Sequence, residues 1–203
     1  MLIKFFKAFR KICRIIVNPI FLPVTKCLLY LNGARYDKGL QVSGFIKVDV
    51  TQRGKFTIGR NLKINSGDNF NVIGRQQKTM FWVEGELIIG DNVGMSATAI
   101  ICNKQILIGN NVTIGGNTVI YDSDFHNLNP EIRKNKLIDK QSAIKLPVII
   151  EDNVFIGAHT TILKGVTIGQ NSIIGACSLI SKDIPENQIW GGNPAKFIKA
   201  IEA

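Results

Sequence analysis

Histidine is scarce in this 203-residue chain, at two residues, and the four cysteines, Cys13, Cys27, Cys102 and Cys177, form no CxxC pair. Such spacing suggests neither a disulfide framework nor a zinc knuckle, and a reducing, cytoplasmic setting fits best. An uninterrupted run of about 20 apolar residues, as a membrane-crossing helix needs, is missing. The most apolar stretch, "VNPIFLPVTKCLLYL", is broken by Asn18, Pro19, Pro23 and Lys26. A secretory leader is not expected, because no A-x-A site follows and the charges are scattered rather than gathered ahead of an apolar core. Acidic residues number only 15 against 25 basic ones, a formal charge of +10. Nucleic acid is a poor partner for this excess, since the bases accompany apolar residues rather than exposed stacking aromatics.

The positive charge is uneven. Residues 1–38 hold eight bases, Lys4, Lys7, Arg10, Lys11, Arg14, Lys26, Arg35 and Lys38, against Asp37 alone. In "MLIKFFKAFRKICRII", Leu2, Phe5, Phe6, Phe9, Ile12, Cys13 and Ile16 fall within one third of a helical wheel. Lys4, Lys7, Arg10, Lys11 and Arg14 take the opposite arc. This is a basic amphipathic helix with two readings: a cap that buries its Phe face on the main domain, or a helix in peripheral contact with the inner face of an anionic membrane.

Glycine is plentiful, at 19 residues spread through the body, which points to a turn needed repeatedly rather than to a flexible linker. From Ile150 the chain reads "IEDNVF IGAHTT ILKGVT IGQNSI IGACSL ISKDIP", with Ile150, Ile156, Ile162, Ile168, Ile174 and Ile180 six apart. The beat recurs through Ile108, Ile114 and Ile120, as Ile89 and Met95, and more faintly as Leu40, Ile46, Ile58, Ile64 and Phe70. Six residues make a short strand and a tight turn, and three such units close a triangular coil whose first positions point inward. Gly, Ala, Asn or Asp follow them and suit corners. The spacing therefore predicts an all-β parallel β-helix over residues 39–188, after an N-terminal helical segment at 1–38 and before a cap at 189–203. An uncapped β-helix exposes strand edges, so Trp190, Phe197, Ile198 and Ile201 are expected to cover the open end.

Counting on by sixes from Ile120 reaches His126, Ile132, Ile138 and Ile144. Residues 127–147 carry no glycine and many charges, however, and so have the wrong chemistry for corners. This stretch, about 122–147, is expected to leave the coil as an excursion loop, and loops of that length in compact domains are usually either functional or disordered. "DSDFHN" at its root offers an imidazole, which titrates near neutrality, with Asp122 or Asp124 to fix its tautomer.

These residues resemble the hexapeptide-repeat acyltransferases, over roughly 40–201 and most closely in the last third. The resemblance implies a left-handed coil, a handedness that general crossover rules do not supply. "IYDSDFHNLNPEIR" is similar to the motif holding the catalytic base in polysaccharide-modifying members, which implies His126 as general base. Maltose and galactoside acetyltransferases, which the chain resembles, also have a carboxylate about a dozen residues beyond the base and an asparagine on an earlier coil. Asp139 is a loose match for the first, and Ser96 stands near the place of the second. The terminal "IGAHTT…ISKDIPENQIWGGNPAKFIKAI" implies backbone contacts from Ala158 and Ala176 to acetyl-coenzyme A, with Lys182 and Lys199 at its phosphates. His159 is expected to be structural or to wall the donor channel.

The resemblance implies an O-acetyltransferase without a metal, acting as a homotrimer with sites between subunits. Its acceptor would be a sugar or lipid-linked sugar of capsule, colanic acid or O-antigen synthesis. Two other readings are weighed. The carbonic-anhydrase branch of the same architecture needs three histidine ligands where this chain has two. A non-catalytic β-helical scaffold tethered to membrane would need neither the His126 loop nor the terminal lysines.

Overall fold

Ile150, Ile156, Ile162, Ile168, Ile174 and Ile180 are each 1% exposed or less, so the six-residue beat marks the inward side of every strand. The computed structural model describes residues 2–67, 70, 71, 73 and 77–202, with the side chains of Ala8 and residues 10–18 outside that description.

The strands form coils of three. β1 (Arg35–Tyr36), β2 (Gln41–Ser43) and β3 (Lys47–Val50) make the first, and β4 (Lys55–Ile58), β5 (Lys63–Asn65) and β6 (Met80–Val83) the second. The third is β7 (Glu86–Ile89), β8 (Gly94–Ser96) and β9 (Ala99–Cys102), and the fourth β10 (Gln105–Ile108), β11 (Thr113–Ile114) and β12 (Val119–Tyr121). After an excursion come β13 (Val148–Ile150), β14 (Phe155–Ile156) and β15 (Thr161–Ile162), then β16 (Thr167–Ile168), β17 (Ile173–Ile174) and β18 (Leu179–Ile180). Strands of equal rank stack in parallel into three faces. Each face carries an isoleucine column in register: Ile108, Ile150 and Ile168 on the first, Ile114, Ile156 and Ile174 on the second, Ile120, Ile162 and Ile180 on the third.

Asparagine builds the edge between the first and second faces. Asn61, Asn92, Asn111, Asn153, Asn171 and Asn187 all have φ between 56° and 62°, the left-handed region that asparagine tolerates. Each side chain donates to the next at 2.8–3.1 Å, so the corner residues double as a hydrogen-bonded ladder.

The two ends differ from each other. α1 (Leu2–Leu31) runs through both Pro19 and Pro23. Both prolines are exposed. The C-terminal part of α1 covers the first coil: Phe21, Thr25 and Leu29 are buried, with Phe21 edge-on to Phe45 and Phe70 at 4.9 and 5.4 Å. Phe70 therefore packs against the helix instead of keeping the beat, because the chain leaves the coil between β5 and β6. Leu2, Phe5, Phe6 and Phe9 near the helix start are 55–83% exposed. Ile12, Cys13, Ile16, Arg10, Lys11 and Arg14 of the expected amphipathic pattern lie outside the described side chains. The cap and the free amphipathic helix thus occupy different parts of one element.

At the other end, β19 (Gln188–Gly191) adds to β17 in parallel and β20 (Lys196–Ala200) pairs back on β19 antiparallel. Trp190 packs on the core, but Phe197 and Ile198 are 52% and 59% exposed. The expected cover is thus a hairpin that extends the second face, and buried Ile184 closes the last coil instead.

Candidate active site

The excursion leaves the edge between the third and first faces, and Asp122 fixes the point of departure. This residue is fully buried and accepts the backbone N–H groups of Asn103, Lys104 and Gln105 at 2.7, 2.6 and 2.8 Å. It thereby closes the corner of the coil below. The two legs of the excursion are tied together: Ser123 bridges Lys145, Asp124 N donates to Ile144 O, and Leu146 N donates to Asp122 O.

Between the legs the chain is not an open loop. It forms α2 (Pro130–Arg133) and α3 (Lys136–Ser142), capped by Asn129 and Asn135, whose side chains accept N–H groups of each first turn. α3 brings Asp139 back to the start of the excursion, where its Oδ2 stands 2.7 Å from His126 Nδ1. The other oxygen, Oδ1, accepts the Asn127 N–H at 2.6 Å. The hydrogen bond from His126, and after it that from Asn127, holds the Asp139 carboxyl below the usual carboxylate range. An ionised carboxylate only accepts, so the imidazole proton lies on Nδ1 and neutral His126 keeps a lone pair on Nε2. Asp139 is 9% exposed at its side chain while His126 is 70% exposed, which leaves the ring open to a substrate.

The structure pairs His126 with Asp139 rather than with Asp122 or Asp124, the carboxylates nearest to it along the sequence. Asp122 is occupied by backbone N–H groups, and Asp124 pairs with Lys164 at 2.7 Å, so neither is the carboxylate at His126. Asp139, the loose candidate, takes that place. Lys140 on α3 reaches Glu84 at 3.1 Å and ties the excursion to the second coil.

The positions expected at the donor lie on other parts of the prism. Ala158 and Ala176 stack on successive coils at the edge between the second and third faces, with Cys177 N donating to Ala158 O at 2.8 Å. They precede His159 and Cys177, which with Ala97 and Asn117 form the left-handed corners of that edge. Close packing here demands glycine: a Cβ on Gly157 would sit 2.4 Å from Ala176 N. His159 Nδ1 is buried without a hydrogen-bond partner among the described residues. Lys182 follows β18 on the edge that carries the excursion, and Lys199 lies on β20; both are exposed. Ser96 ends β8 beside the alanine edge. The excursion that bears His126 and the corner of Ala158 and Ala176 thus leave the prism at different edges, with the third face between those edges.

Residues 147–182 match the model of the bacterial transferase hexapeptide (six repeats). The chain is 40% identical over 102 residues to a galactoside O-acetyltransferase of Lactococcus lactis, 50% of this chain and 46% of that protein. Among solved structures it is similar to a hexapeptide-repeat acetyltransferase from Vibrio cholerae, with TM-score 0.52 and 31% identity over 58% of this chain and 64% of the other. It is also similar to a maltose O-acetyltransferase from Clostridium difficile, with TM-score 0.51 and 28% identity over 82% and 71%. The chain spans about half the length of the curated relatives it matches. The resemblance read from the repeat is borne out, and the coil is the left-handed β-helix of these structures.

Proposed function

We infer, from a hexapeptide-repeat chain that shares its left-handed coil with these transferases, that the protein is an acetyl-coenzyme A-dependent O-acetyltransferase acting on a sugar hydroxyl. The observation that carries this is the 2.7 Å pairing of exposed His126 with buried Asp139. His126 Nε2 takes the proton as the hydroxyl oxygen bonds to the thioester carbon, and Asp139 stabilises the imidazolium. Collapse of the tetrahedral intermediate breaks the carbon–sulfur bond, and the proton on Nε2 goes to the departing thiolate. The ester and free coenzyme A result, with no acyl-enzyme.

Ala158 and Ala176 support the donor through backbone groups, and Lys182 and Lys199 meet its phosphates. Because the base and the alanine corner lie on different edges, the working unit is a homotrimer in which one chain's excursion faces its neighbour's alanine edge. The acceptor belongs to surface-polysaccharide synthesis, as a sugar or lipid-linked sugar. Its lipid carrier accounts for α1, whose exposed apolar start carries Lys4 and Lys7 and whose sequence has no acidic residue. No helix among the described residues is long and apolar enough to cross a membrane, so contact would be peripheral.

Release of thiol from acetyl-coenzyme A in the presence of candidate sugars tests the reading. His126→Ala should lower kcat by a factor of 10² to 10⁴, the usual worth of a positioned base. Unchanged turnover would remove the mechanism, and no turnover with any sugar would favour a non-catalytic scaffold.

A further inference from the structure

A cavity of about 560 Å³ opens on the edge from which the excursion departs, lined by Thr51, Gln52, Arg53, Glu84, Asn103 and Lys145. Its floor is the corners that follow β3, β6 and β9, and its wall is the returning leg of the excursion. Lys145 bridges Ser123, three residues before His126. Three residues span at most about 10 Å, so His126 lies within that reach of the residue paired with the cavity wall. The cavity's size suits a sugar with a substituent.

The charges in it do not balance. Neither Arg53 nor Lys145 has an ion pair or a side-chain hydrogen bond among the described residues, although Lys145 is half-buried. The one acid, Glu84, is already engaged by Lys140 at 3.1 Å. Two unpaired cations lining one cavity attract an anion, and a guanidinium matches phosphate oxygens. We propose that this cavity is an anion subsite that holds a phosphate or diphosphate on the acceptor and thereby presents the sugar to His126. The proposal rests on the acetyl-transfer reading for the word acceptor, but the anion site stands on its own charges. Coenzyme A phosphates do not explain it, since the cavity is floored by the first three coils and the alanine corner belongs to the fifth and sixth.

Binding to the full chain, followed by calorimetry, tests it with inorganic pyrophosphate as the probe. The double variant Arg53→Ala/Lys145→Ala should bind pyrophosphate at least about tenfold more weakly, with acetyl-coenzyme A affinity unchanged. If the double variant fails to fold, Arg53→Gln alone, on an exposed side chain, should still weaken pyrophosphate binding measurably. Uridine diphosphate and farnesyl diphosphate in detergent micelles separate a nucleotide-linked from a lipid-linked source; variant-sensitive binding of either supports the site. Equal pyrophosphate affinity in wild type and variants overturns it, as does an equal loss of acetyl-coenzyme A binding. A chain that binds pyrophosphate through these cations but transfers no acetyl group would sink the catalytic reading alone.

Discussion

Asn111 donates its side-chain N–H to Asn153 at 3.1 Å, although the two are 42 residues apart in the chain. Asn92 makes the same bond to Asn111 at 3.0 Å over 19 residues. The ladder is therefore indifferent to the excursion inserted between its members, and the coils above and below it stay in register.

The ladder can be tested at Asn111. Substitution by Ala loses its ladder bonds and places a Cβ without a polar side chain at φ 56°, which should cost about 1–2 kcal/mol. Substitution by Gly loses the bonds without the strain and should cost less. Urea denaturation of the two variants reads the difference; a Gly variant no more stable than the Ala variant would show that the left-handed corner is not what asparagine supplies.

Asp122 and Asp139 should separate stability from catalysis. Asp122→Ala strips three buried-edge N–H groups of their acceptor and should destabilise the chain by about 3 kcal/mol. Asp139→Asn keeps the shape but not the charge beside His126, and should lower kcat by at least about tenfold. Melting curves and turnover measured on both variants decide it, and equal effects on both quantities would merge the two roles.

Acid should erase the contribution of Asp139. Folding lowers its pKa, so the ionised form favours the folded chain. That contribution is complete above the unfolded value of about 3.9 and is lost as pH falls through the lower folded value. The stability gap between wild type and Asp139→Asn should hold at neutral pH and close below about pH 4. A gap independent of pH would mean that the carboxylate charge does not matter.

The start of α1 should bind anionic vesicles. Phe5→Ser with Phe6→Ser removes two large side chains, 68% and 62% exposed, and should weaken sedimentation with phosphatidylglycerol vesicles by about a hundredfold. Salt should weaken it further, because Lys4 and Lys7 act through a screened surface potential. Binding unaffected by either change would assign this face to another chain.

The repeat was legible because each Ile of the beat answers one physical demand, burial inside the prism, and nothing else competes at those positions. His126 was legible because its surroundings broke corner chemistry. Its carboxylate was not: Asp122 and Asp124 are nearer along the chain, and only the folding of 130–142 into α2 and α3 brings Asp139 back across 13 residues. A chain of loop residues carries little record of how it returns. Phe70 fell on the beat by spacing, yet Phe21 gave it another partner.

The insertion of the excursion at a single corner has an evolutionary reading. His126, its partner Asp139 and the pocket wall travel together on one contiguous segment whose two feet, Ser123 and Lys145, stand side by side. A lineage could exchange that cassette wholesale, and with it the molecule accepted, while the scaffold beneath inherits no obligation to change.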